Sequence, residues 1–146
     1  MKNNEHQYNF YFLVIFSRPQ IHFFSTWMYP SMEQFNTNNE DYPIEESVKQ
    51  IIDGTTAMLI PVGRAFKLFQ DKYPQFNLLM EDNKHPNPNG SYLASCIIFS
   101  HISAESSLNL SKRYKGKDAR GVDIYYSIVE DEVLTFLQQI SDEVIF

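Results

Sequence analysis

Two residues of the chain are spaced to handle a proton together. Asp82 and His85 stand three apart within Glu81-Asp82-Asn83-Lys84-His85-Pro86, and the polar stretch from Glu81 to Gly90 adds prolines, asparagines and a glycine. Pro86 biases His85 toward an extended backbone, which projects the imidazole from a loop rather than laying it on a helix face. A carboxylate three residues back can curl round and accept the Nδ1–H of the ring. That contact fixes the tautomer and leaves Nε2 as a base. The same spacing also suits an Asx turn, in which Asp82 only shapes the loop.

The elements around the pair place it. Leu78-Leu79-Met80 reads as a short buried strand, and a helix is expected to open at Ser91, with Tyr92, Leu93, Cys96 and Ile97 at helical spacing. The pair then sits at the C-terminal end of a strand, where open α/β sheets place their ligands. Upstream, Tyr11 to Phe16 and Ile21 to Trp27 read as strands, and Tyr29 to Tyr42 as a long loop of the kind that forms lids or binding surfaces. Pro43 opens a helix with Ile44, Val48, Ile51 and Ile52 on one face and Gly54 past its end. Ala57 to Pro61 reads as a strand, and Val62 to Tyr73 as a helix that turns Ala65, Phe66 and Phe69 inward before Pro74 stops it. Downstream, Ser103 to Gly121 reads as a solvated basic loop, and Asp123 to Ile145 as one amphipathic helix. Alternating strands and helices predict an α/β fold, a parallel sheet flanked by helices, as a single domain over residues 1–146.

Composition narrows the function. The 146 residues are 43% hydrophobic and 15% aromatic, enough for a real core, and the net charge of −6 argues against a nucleic-acid partner. No apolar run approaches a membrane span, so no membrane partner is expected. The start makes a poor signal peptide, because Glu5 and His6 dilute its charged region; a longer precursor could carry a signal. Cys96, the single cysteine, excludes an internal disulfide and reads as a packing residue.

The wording from Asp82 to Ser95, Asp-Asn-Lys-His-Pro-Asn-Pro-Asn-Gly-Ser-Tyr-Leu-Ala-Ser, resembles the C-terminal catalytic block of the SGNH (GDSL-type) hydrolases. Thr26-Trp27 at a strand end and Pro61-Val62-Gly63-Arg64-Ala65-Phe66 after a second strand fit the same family. The resemblance covers Ile21 to Ile102 and, more loosely, the chain to Gln139. It implies a flavodoxin-like SGNH hydrolase fold, incomplete at its N-terminus, with His85 and Asp82 as catalytic residues. It also implies no cofactor and no metal, and a small-molecule or carbohydrate ester, including acetyl esters, as substrate.

The family's nucleophilic serine, carried by a Gly-Asp-Ser motif, has no counterpart here, nor do its oxyanion donors. Asp53-Gly54-Thr55 follows a helix, Asn38 and Asn39 lack a Gly-x-Asn context, Ser91 reads as an N-cap, and Ser25 has no glycines around it. The chain therefore reads as the back half of an ester hydrolase, either truncated or degenerate, with little hydrolysis expected from it alone. On the first alternative the frame upstream of Met1 encodes a strand and Gly-Asp-Ser. On the second the chain is a non-catalytic relative. A separate reading is a non-catalytic interaction module, whose exposed first-strand edge pairs with a partner or with a second copy of the chain. Asp82, His85 and His101 form a third, weaker candidate set, as metal ligands.

Overall fold

A computed structural model describes residues 20–32 and 42–146. The strand expected over residues 11–16 and part of the long loop lie outside them. Among the described residues the chain is mixed α/β, with four helices, a two-stranded parallel sheet and an antiparallel strand pair.

The parallel pair is β1 (His22–Phe24) and β2 (Met58–Ile60), in register from His22 opposite Met58 to Phe24 opposite Ile60. Between them runs α1 (Pro43–Ile52), started by Pro43 at its first turn. Gly54, in the left-handed region at φ 70°, lets the chain leave it toward β2. Helix α2 (Val62–Lys72) follows β2 and buries Val62, Ala65, Phe66 and Phe69 on one face. Its Gly63 amide donates to the Ser25 carbonyl at 3.0 Å, closing the helix start against the end of β1.

Residues 78–80 depart from the strand expected there. Leu78 and Leu79 are buried and Met80 is exposed, but the segment folds back on the residues after the bend. Met80 N donates to the His85 carbonyl at 2.8 Å and Asn87 N to the Leu78 carbonyl at 2.9 Å, around a single bridge between Leu79 and Pro86. Helix α3 then runs Pro88–Ser103, three residues earlier than expected. Its N-cap is Asn87, whose side chain accepts from Gly90 N at 3.0 Å, and not Ser91. Pro88 supplies the first-turn position that lacks a donor, and that signal outranks a serine further in.

The second correction lies downstream. The basic stretch is not all loop, nor are residues 123–145 all helix. β3 (Arg113–Lys117) pairs antiparallel with β4 (Asp123–Ile128), and α4 begins only at Asp131 (Asp131–Ile145). The turn explains the pairing. Asp118 accepts through Oδ1 from the amides of Arg120 and Val122, and Gly121 takes φ 80°. Ile124, Tyr125, Tyr126 and Ile128 are good strand formers. The basic side chains of this stretch are engaged. Lys112 pairs with Asp131, Lys115 and Lys117 with Asp123, and Arg120 with Asp118, while Arg113 lies over the Tyr125 ring at 5.4 Å.

The core lies between α2, α3 and α4. Phe66, Phe69, Leu78, Leu93, Ile97, Val133, Leu137 and Ile140 are all buried in it. Gln138 joins the layers: its Nε2 donates to the Tyr92 hydroxyl and to the Leu110 carbonyl, each at 2.9 Å, and its Oε1 accepts from Asn109 N. Cys96 is buried here and burial pushes its thiol up to about 11, so it packs as a small apolar group and is not a reactive thiol. No helix of the described residues is long and apolar enough to cross a membrane.

Candidate functional site

The bend between residues 78 and 87 is held from three sides. Leu78 and Leu79 anchor its start in the core. Asn87 anchors its end, because its Nδ2 donates to the Asn77 carbonyl at 2.8 Å while its Oδ1 caps α3. Gly90 permits this closeness: a Cβ there would stand 2.3 Å from the Leu78 carbonyl oxygen. The third tie comes from across the sheet. The Trp27 indole N–H, just past β1, donates to the Lys84 carbonyl at 2.9 Å, and its ring stacks on Phe66 with centroids 4.5 Å apart. The bend thus lies against the C-terminal end of β1.

Within this frame Asp82 and His85 meet. His85 Nδ1 lies 2.5 Å from Asp82 Oδ2. The other carboxylate oxygen accepts from the amides of Lys84 at 2.9 Å and His85 at 3.0 Å. Asn83 makes the curl possible by adopting φ 56°, a conformation that asparagine tolerates. The Asx turn and the orienter contact are therefore one arrangement, with one oxygen shaping the loop and the other holding the ring. The His85 ring bond, then the two amide bonds, hold the Asp82 carboxyl down at about 2, from an ordinary 3.8. The ionised form that accepts these bonds is thus complete above 3.8 and is lost only as the pH falls toward 2. An ionised carboxylate can only accept, so Nδ1 is the donor of this bond, and in the neutral ring the free lone pair is then on Nε2.

The His85 side chain is 78% exposed, at an open concavity of about 730 Å³ lined also by Leu79, Met80 and Asn87. Among the described residues no serine hydroxyl is hydrogen-bonded to it. Ser25 is buried and donates to the Ile60 carbonyl, while Ser95 donates to the Ser91 carbonyl. Asp82, His85 and His101 do not form a metal site: His101 Nε2 lies 3.0 Å from Nδ1 of His22, on β1, and no group of three potential ligands gathers among the described residues. Burial, and secondarily the His22 ring, pulls the His101 imidazole below its ordinary 6.5.

Sequence spacing signalled the Asp82–His85 contact, which is local. It gave no hint of the Trp27–Lys84 bond, made between residues 57 apart in the chain, beyond the aromatic residue at a strand end. Compared with known proteins, the chain matches no family model, no curated protein and no solved structure.

Proposed function

We propose that this chain carries the histidine–aspartate part of an SGNH-like serine ester hydrolase acting on an O-acyl ester, on a flavodoxin-like arrangement of its strands and helices. The observation that carries the proposal is the 2.5 Å contact from His85 Nδ1 to a carboxylate whose second oxygen is held by two backbone amides. His85 Nε2 takes the proton of the attacking hydroxyl and returns it to the leaving alcohol. Asp82 keeps the ring oriented and stabilises the imidazolium, remaining ionised throughout because its carboxyl is held near 2. The nucleophilic serine and the oxyanion donors belong, in this proposal, to residues beyond those described.

An activated ester tests it without a serine, because an oriented imidazole attacks such an ester directly. The 146-residue chain is expected to hydrolyse p-nitrophenyl acetate slowly, with His85→Ala removing most of the rate and Asp82→Asn a large part. Equal rates in the chain and in His85→Ala would end the proposal.

A second reading has its own observation. Ile21, Phe24 and Met58, on and beside the parallel pair, are 59%, 43% and 37% exposed. A non-catalytic module that self-associates through this edge would cover them. Light scattering that finds a monomer across the micromolar range would count against it.

A further inference from the structure

The outer edge of β3 is open. Lys112 and Asp118 flank this strand, and both bond to the β4 side: Val129 N donates to the Lys112 carbonyl at 3.1 Å, and Asp118 N to the Val122 carbonyl at 2.9 Å. Backbone groups alternate in direction along an antiparallel strand, so those of Arg113, Lys115 and Lys117 turn away from β4. Arg113 fits this parity. Its amide donates to the Ser111 hydroxyl at 3.2 Å, and its carbonyl accepts from the same hydroxyl at 2.9 Å. Ser111 thereby caps one end of the edge. Among the described residues nothing caps the backbone of Lys115 or Lys117 on that side. The bulge of the hairpin lies in β4, where Tyr126 is the residue without a partner, so β3 itself runs unbroken.

The side chains determine what such an edge accepts. Arg113, Lys115 and Lys117 alternate along β3 and therefore share one face. Arg113 lies over the Tyr125 ring, while Lys115 and Lys117 both reach Asp123, at 3.4 and 2.7 Å. One carboxylate serves two lysines, and the face keeps a surplus of positive charge. The surplus is local: the chain as a whole carries −6, yet Lys112, Arg113, Lys115, Lys117 and Arg120 fall within nine residues. On the opposite face Tyr114 is 42% exposed, and the Tyr126 ring lies against Gly116. Lysines on an edge keep a second copy away, because β3 against β3 would set cations opposite cations. The same lysines favour a strand with carboxylates at those positions. A nucleic acid would meet the cations but gain nothing from the backbone edge.

We infer that β3 binds an extended acidic segment of a partner protein. The segment adds to the outer edge as a third strand, with alternate carboxylates opposite Lys115 and Lys117 and apolar side chains beside Tyr114. The inference does not rest on the hydrolase proposal.

The test is titration of the full chain with an acetylated, amidated heptapeptide of alternating glutamate and valine, followed by amide NMR and hydrogen exchange. Three other probes serve as comparisons. The lysine–valine heptapeptide reverses the charge. The glutamate–valine peptide with methylated backbone amides keeps the charge and loses the donors. Oligothymidylate supplies a different polyanion. The glutamate–valine peptide should shift residues 113–117 and slow exchange at Lys115 and Lys117, and neither altered peptide should. Lys115→Gln combined with Lys117→Gln should weaken binding by roughly fivefold. Both side chains are mostly exposed, so this double variant keeps the fold. His85→Ala should bind as the parent does. Unslowed exchange at Lys115 and Lys117, equal binding of the methylated peptide, undiminished binding in the double variant, or tighter binding of oligothymidylate would overturn the inference. Peptide binding without His85-dependent ester cleavage would sink the hydrolase proposal alone, and cleavage without peptide binding would sink this one alone.

Discussion

The helical side of the molecule and its parallel sheet are built to different standards. Phe66, Phe69, Leu93 and Leu137 fill a closed core between α2, α3 and α4, whereas β1 and β2 pair over three residues and leave Ile21, Phe24 and Met58 exposed. The Asp82–His85 bend takes most of its support from the first side, through Leu78, Leu79, Asn87 and Gly90. It takes one bond from the second, through Trp27. A site can thus be rigid at its backbone and open at its reactive atom: the bend is fixed by the core behind it, and the imidazole faces outward.

Substitutions should separate the two sides. Leu93→Ala is expected to cost about 2–5 kcal/mol in chemical denaturation, the range for a fully buried leucine. Gly90→Ala should cost about 1–3 kcal/mol, because the helix start must retreat from the Leu78 carbonyl, and His85 should lose its contact with Asp82 in the same variant. Trp27→Phe removes the indole donor to Lys84 and should cost about 1 kcal/mol, with NMR shifts concentrated in residues 82–85. Ile21→Ser, on the exposed side, should stay within about 0.5 kcal/mol of the parent. A large loss there would mean that the sheet carries more of the fold than its burial indicates.

The two sides also meet at the His22–His101 contact, which joins β1 to α3. His101 is held below its ordinary 6.5 in the folded chain, so the unfolded chain takes up that proton first. Stability is therefore complete above 6.5 and falls as the pH drops through it toward the lower folded value. The melting temperature should decline on acidification from about pH 7.5 to about pH 5.5, and His101→Gln should flatten that decline. An equal decline in the variant would place the sensitivity elsewhere.

What the chain discloses in one dimension follows the range of its contacts. Helices α1 and α2 are legible because Pro43, Gly54 and Pro74 punctuate them and their apolar residues recur at helical spacing. The Asp82–His85 contact is legible because it spans three residues. The hairpin is not, because charge masks β3. The apolar residues of β4 also run straight into the buried face of α4, through Ile128, Val129 and Val133, so a strand and a helix read as one element. The signal that separates them is the Asp118–Gly121 turn. Likewise Asn87 before Pro88 marks the start of α3 better than Ser91 does. The Trp27 tie and the seat of the Tyr126 ring against Gly116 depend on residues far apart in sequence or on a glycine in the opposite strand, and no local pattern encodes them.

The central claim is that Asp82 holds His85 as a base with its free lone pair on Nε2. The ¹⁵N NMR spectrum of the His85 ring at about pH 8, where an ordinary imidazole is neutral, reads this directly. The account predicts a protonated Nδ1 and a bare Nε2, with the proton redistributed between the two nitrogens in Asp82→Asn. A proton on Nε2 in the parent chain, or a tautomer balance that Asp82→Asn leaves unchanged, would contradict it.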